Sequence, residues 1–301
     1  MNDSSTISLN AGNLSAIFWP GAGMLCVSLS FRGEEQLRRL DDLESAKRKG
    51  STAGIPLLYP WANRLPGLHY RAAGQDVDLD PVSPLLHFDD RGLPMHGVPW
   101  GELHWDILEA KSDSVLAQLD WKRPELVALF PFPHRVQMAA NVTSDSLVLQ
   151  TTVFADAGSP VPISFGFHPY FGISGLPRAE WRLQLPRMCK LLLDARGIPT
   201  GVEEFFGPVD GLLGDTSYDA GFALLSEQSS FSVSGGKHNI TVAFLEGFAY
   251  AQVFAPKDKD FVALEPMTAA TSALTSGKGL RVTEHGREFR ASFRVKMEAA
   301  T

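Results

Sequence analysis

An all-β fold of antiparallel strands is the class this sequence predicts, on three observations. Apolar and polar residues alternate with a period of two in several segments, turn formers are abundant, and no series of helical patterns separates the strands. The 301 residues include 27 Gly and 20 Pro, about one residue in six, where ordinary proteins carry about one in eight. Short strands joined by such turns, with few short helices, predict a sandwich or barrel.

In chain order, the first clear strand is the row Val27, Leu29 and Phe31, alternating with Ser28 and Ser30. Leu37, Leu40 and Leu43, spaced by three and followed by Gly50, predict a helix over residues 34–49. Between Val136 and Phe154 two apolar runs flank Thr143, Ser144, Asp145 and Ser146, whose short polar side chains favour turns, so a hairpin is expected. Trp181, Leu183 and Leu185 alternate with Arg182 and Gln184, and Ile240, Val242 and Phe244 make a similar row. The clearest strand comes last. Phe289, Ala291, Phe293, Val295 and Met297 alternate with Arg290, Ser292, Arg294 and Lys296, a pattern that buries one face and solvates the other. No linker, repeat or compositional shift divides the chain, so a single β domain over residues 1–301 is expected.

Composition narrows the function. With 44% hydrophobic and 20% charged residues the chain can bury a large core, which excludes disorder as its main state. A net charge of −7 repels a phosphate backbone, so a nucleic-acid partner is not expected. Cys26 and Cys189 are too few for a disulfide framework and suit a reducing, cytoplasmic setting. The first ten residues lack the basic and then apolar pattern of a secretory signal. Neither uncharged stretch reads as a membrane span: residues 4–31 are rich in Ser, Asn and Gly, and residues 157–177 carry Pro160, Pro162, Pro169 and Pro177.

The common cofactor signatures fail. Gly21-Ala22-Gly23 lacks the third glycine of a dinucleotide fingerprint, and Gly277-Lys278-Gly279 lacks the upstream glycine and the hydroxyl residue of a P-loop. There is no Gly-x-Ser-x-Gly elbow, and no two histidines stand at the spacing of a helical zinc site; His87, His96 and His104 would have to converge by folding.

Polar residues concentrate instead in four apolar, turn-forming segments: residues 55–66 (IPLLYPWANRLP), 95–100 (MHGVPW), 165–172 (FGFHPYFG) and 263–271 (ALEPMTAAT). Glu265 and His168 are the sharpest residues in them. Pro266 disfavours a helical Glu265 and makes it the last extended residue of a strand, where partial desolvation raises a carboxyl pKa and strengthens it as a base. His168 sits among aromatic residues and can donate or accept a proton near neutral pH. Taken singly each has a structural explanation: a lone histidine is often a hydrogen-bonded core residue, and Asn63-Arg64 or His96-Gly97 would serve as loop ties. No local structural need explains all four segments together.

PWANRLPG, HGVPWGELHW, FGFHPYF and ALEPMTA, in this order, resemble the aldose 1-epimerase (galactose mutarotase-like) family, with a likeness running from about Asn13 to Val295. The resemblance implies a large antiparallel β-sandwich, a galactose mutarotase-like supersandwich, with a sugar groove on one sheet and no metal or organic cofactor. It implies mutarotation of a free aldose, with Glu265 as general base, His168 as general acid, and Asn63, Arg64, His96 and Asp219 binding the sugar. Asp215 is near enough in sequence to compete with Asp219 for that role. Val98-Pro99-Trp100 stands where many relatives have an arginine after the His-Gly pair, and Ala155-Asp156 where an asparagine is common. The first departure weakens a sugar-phosphate reading, since an anion favours arginine clamps.

The expected partner is a small-molecule sugar, with no nucleic acid and no membrane, on a monomer or homodimer. The alternatives are a non-catalytic carbohydrate-binding or regulatory protein on this fold, a hexose-6-phosphate mutarotase, and a glycoside hydrolase recruiting Glu265 and Asp219.

Overall fold

Alternating strands need two surfaces to bury against, and the chain supplies them as two large antiparallel sheets. The computed structural model describes residues 6–39, 42, 45 and 52–299. One sheet of nine strands runs, in spatial order, Val209–Leu212, Arg182–Leu185, Ser230–Gly235, His238–Glu246, Glu288–Ala299, Ser146–Ala155, His134–Val142, Ser114–Trp121 and Asp106–Ala110. A second, of eight, runs Pro199–Phe206, Met188–Leu193, Tyr218–Leu224, Tyr250–Ala255, Val262–Met267, Gly166–Phe167 and Leu57–Leu58, with Tyr170–Phe171 also pairing with Val262–Met267. Among the described residues α-helix occurs in the short Pro124–Leu129 and Ala273–Ser276 and at Ser45, and no helix is long and apolar enough to cross a membrane.

The two sheets share one core. Phe293 of the nine-stranded sheet meets Phe167 of the other with ring centroids 5.1 Å apart, and Phe248 touches both rings. The C-terminal strand lies between Ser146–Ala155 and His238–Glu246, with Ala291, Phe293, Val295 and Met297 buried while Arg290 and Arg294 stay exposed. The hairpin between Val136 and Phe154 forms from His134–Val142 and Ser146–Ala155, closing at the pair Val142 and Leu147.

Three expectations need correction. The helix expected over residues 34–49 does not start at Glu34: the segment opens as a strand, Glu34–Glu35, paired with Phe31 and Ser30, while Ser45 farther on is helical. Leu37 bridges to Phe171, and the Glu35 carboxylate accepts the backbone N–H groups of Leu29 and Leu37. These contacts hold the segment extended against the leucine spacing. Residues 40, 41, 43, 44 and 46–51 lie outside the described residues. Ser28 is not on a solvated face either: it is buried, its hydroxyl donating to Glu35 Oε2 at 2.5 Å. Lastly, the strand at Glu265 does not stop at Pro266 but runs on to Met267. On one side its neighbours are only the short pairings of Tyr170–Phe171 with Ala263 and Val262 and of Gly166 with Met267. Pro266 falls between them, where no continuous ladder exists for its missing N–H to interrupt.

Candidate active site

Three adjacent strands of the eight-stranded sheet carry polar side chains on one face. Gln252 pairs in register with Glu265 on one side and Gly221 on the other, and Phe254 pairs with Asp219. Since strand side chains alternate, Asp219, Gln252, Phe254 and Glu265 share a face. Gly221 leaves room beside Gln252, whose Oε1 would lie 3.1 Å from any Cβ there, and the Gln252 amide donates to Asp219 Oδ1 at 2.7 Å.

His168 lies between the short strands Gly166–Phe167 and Tyr170–Phe171, its N–H donating to Pro56 O at 3.1 Å. Its ring stacks on Tyr170 with centroids 4.1 Å apart and meets the edges of Phe254 and His96. Nε2 lies 3.3 Å from the Tyr170 hydroxyl and 3.2 Å from Glu265 Oε1. That last approach is off the hydrogen-bonding direction, so Glu265 Oε1, like His168 Nδ1, is buried without a hydrogen-bond partner among the described residues. Buried polar atoms are rarely left so, and both residues line one cavity, which marks it as a place for a ligand's hydrogen-bonding groups.

Burial, and after it the charge of Asp219, pushes the Glu265 carboxyl well above its ordinary value. Burial, with His96 nearby, pushes the His168 imidazole well below its own. Both shifts favour one arrangement of a single shared proton, a protonated carboxyl beside a neutral imidazole.

A second wall comes from two loops. Asn63 and His96 both adopt left-handed backbone, φ 59° and 63°, a conformation costly for residues other than glycine. They lock each other: His96 N–H donates to Asn63 O at 2.9 Å, and Asn63 N–H donates to His96 Nδ1 at 3.1 Å. Burial, then the Arg64 guanidinium, pushes His96 down to about 3, so its ring is neutral at pH 7. With Nδ1 accepting, Nε2 carries the hydrogen and is a donor. Arg64 Nε donates to Asp89 Oδ2 at 2.6 Å and Nη1 to Asn63 Oδ1 at 3.2 Å. The other Asp89 oxygen accepts the N–H groups of Arg91 and Leu93. Burial raises the Asp89 carboxyl, but the Arg64 and backbone hydrogen bonds outweigh it and hold it below its ordinary value.

All six residues singled out in the sequence, Asn63, Arg64, His96, His168, Asp219 and Glu265, line one cavity of about 110 Å³. Asp215 does not; it is exposed and lies 3.6 Å from Lys257. Gln252, Phe254 and Met95 complete the lining. Gln252 was detectable as the one polar residue within YAQVFA, on the face opposite Ala251, Val253 and Ala255. Among the described residues no group of three His, Cys, Asp or Glu side chains is placed to hold a metal ion. The arrangement offers a base and an acid sharing a proton, a cation, a neutral donor and a carboxylate, fitted to a neutral ligand rich in hydroxyls.

The chain is similar to known proteins over nearly its whole length. The family model described as aldose 1-epimerase matches residues 5–296. YihR of Escherichia coli K12, a protein named as uncharacterized, is 24% identical over 96% of this chain and 92% of its own. Among solved structures, Slr1438 of Synechocystis sp. PCC 6803 shares 22% identity with a TM-score of 0.78, covering 99% of this chain and 96% of its own. A galactose mutarotase-like protein of Clostridium acetobutylicum shares 18% identity with a TM-score of 0.82, over 97% and 95% of the two chains.

Proposed function

Since the chain belongs to the aldose 1-epimerase family, we propose that it is an isomerase that interconverts the α and β anomers of a free aldose by acid/base opening and closure of the sugar ring. The observation that supports this best is the buried pair His168 and Glu265, 3.2 Å apart, each with an unpartnered polar atom and both lining one polar cavity.

Glu265 takes the proton of the C1 hydroxyl while His168 protonates the ring oxygen. The bond from C1 to the ring oxygen breaks, leaving an aldehyde, a protonated Glu265 and a neutral His168, the state that burial of both groups favours. Rotation about the C1–C2 bond and the reverse transfers close the ring on its other face. The pair carries one proton throughout, so nothing is consumed. Arg64 stabilises negative charge developing on oxygen, His96 donates through Nε2, and Asp219 with the Gln252 carbonyl accepts from sugar hydroxyls. Phe254 covers the apolar face of the ring.

Polarimetry on freshly dissolved single anomers tests the reading. Catalytic amounts of protein are expected to speed equilibration of at least one aldose in a broad panel; tight calorimetric binding without acceleration would make the protein a carbohydrate-binding module instead. Asp89→Asn retains the acceptor of the Arg91 and Leu93 N–H groups but removes the charge that holds Arg64. A charge-assisted hydrogen bond contributes about 1.5–3 kcal/mol to stability, so Tm is expected to fall by about 2–5 °C and kcat/KM to fall as Arg64 loses its hold, read by thermal denaturation and polarimetry.

The shared proton also sets stability against pH. Glu265 is raised in the folded state, so its contribution is lost as pH climbs above its unfolded value of 4.5. His168 is lowered, so its contribution is lost as pH falls below 6.5. Between these values the two contributions change with pH in opposite directions and oppose one another. Glu265→Gln removes the first term, and its stability relative to the unsubstituted protein is expected to rise with pH above 4.5 in urea titrations; a constant difference would contradict the raised carboxyl.

A further inference from the structure

We propose that the cavity beside His168 is a subsite for an uncharged, apolar substituent on C6 of the aldose, an inference that rests on the mutarotase reading of the adjoining site. The polar cavity is only about 110 Å³, and small-ligand pockets run from about 300 Å³. Next to it lies a larger one of about 190 Å³, which shares Met95, His96, His168 and Phe254 with the first. Glu265, Asp219 and Arg64 line the first but not the second.

Its own walls are mainly apolar, Leu57, Leu58, Val98, Pro99, Trp100 and the Tyr170 ring, with Thr52 and the exposed His87 beside them. The Tyr170 hydroxyl is hydrogen-bonded to Thr52 and His168, and among the described residues no Lys, Arg, Asp or Glu lines this cavity. The Trp100 wall is fixed from behind, since its ring lies 6.3 Å from that of Trp19 in a buried cluster with Ala22, Leu25 and Val27. A phosphate there would lose its hydration with no lysine or arginine to meet it, whereas an alkyl or acyl group would bury its surface.

The chemistry of the neighbouring site says which carbon points there. The ring oxygen is bonded to C1 and C5. With the C1 hydroxyl at Glu265 and the ring oxygen at His168, the space that opens past the imidazole and away from Glu265 faces C5 and its substituent, C6. A group on C1 is excluded, because ring opening needs that hydroxyl free.

The test uses D-glucose and D-galactose, each as the parent sugar, the 6-O-butyryl ester and the 6-phosphate. Exchange is followed by NMR and affinity by calorimetry. At roughly 0.8 kcal/mol per buried CH₂, at least one ester is expected to exceed its parent by tenfold or more in affinity and in kcat/KM, with the 6-phosphate below the parent. Pro99→Glu places a carboxylate in the half-buried wall and is expected to collapse the ester-to-parent ratio, which is read within each protein. Intermolecular NOEs from the butyryl methyl to the Trp100 indole ring are expected without any substitution. Equal handling of ester and parent, or preference unchanged in Pro99→Glu, would overturn the subsite while leaving mutarotation standing. Preferential ester binding with NOEs but no exchange would support the subsite and defeat the mutarotase reading. Binding of neither ester would overturn the subsite.

Discussion

Glu265→Gln is expected to lower the rate of enzyme-catalysed anomer exchange by about 10²- to 10⁴-fold, the range that one positioned acid or base supplies. The substitution keeps size and shape at a fully buried position and removes the proton acceptor that C1 deprotonation needs. His168→Asn is expected to cost a similar factor, because it removes the acid on the other side of the same proton. The double variant should be little worse than either single one, since two groups that act as a unit have non-additive effects. Polarimetric rates for the four proteins, with circular dichroism to check folding, measure this; full additivity would mean that the residues act independently.

Gly97→Ala is expected to destabilise the fold by about 3–5 kcal/mol, combining left-handed strain with overpacking. Gly97 has φ 66°, and a Cβ there would sit 2.3 Å from Tyr59 O and 2.5 Å from its carbonyl carbon. Both atoms are backbone and cannot step aside as a flexible side chain would. The cost is a large part of the 5–15 kcal/mol that holds a typical domain, and it falls next to His96, so surviving protein should also bind sugar weakly. Urea titration measures it; a loss under 1 kcal/mol would show that the Tyr59 and Gly97 segments are not pressed together.

The sheet strands were legible where burial is one-sided, as in Phe289 to Met297, because alternation there records the core directly. It failed at residues 34–37, where a local leucine spacing of three was outweighed by hydrogen bonds from Leu29 and Leu37 to Glu35, contacts that no periodicity encodes. Five of the six site residues stand out chemically within apolar or turn-forming segments, whereas Asp219 lies outside those segments and was reached through the family resemblance. Gln252 is visible as a polar residue inside an apolar strand, but its partnership with Asp219 depends on the register of Tyr218–Leu224 against Tyr250–Ala255, which the sequence does not encode locally. Asp89 was invisible for another reason: its importance comes from a contact with Arg64 across 25 residues of chain.

The most direct test is two-dimensional proton exchange NMR on the anomeric signals of an aldose panel, with and without protein, at equilibrium. If His168 and Glu265 shuttle one proton, cross-peaks between α and β C1 protons appear at catalytic protein concentration for at least one sugar and vanish with Glu265→Gln. Cross-peaks that persist undiminished in that variant, or that appear for no aldose in the panel, would contradict it.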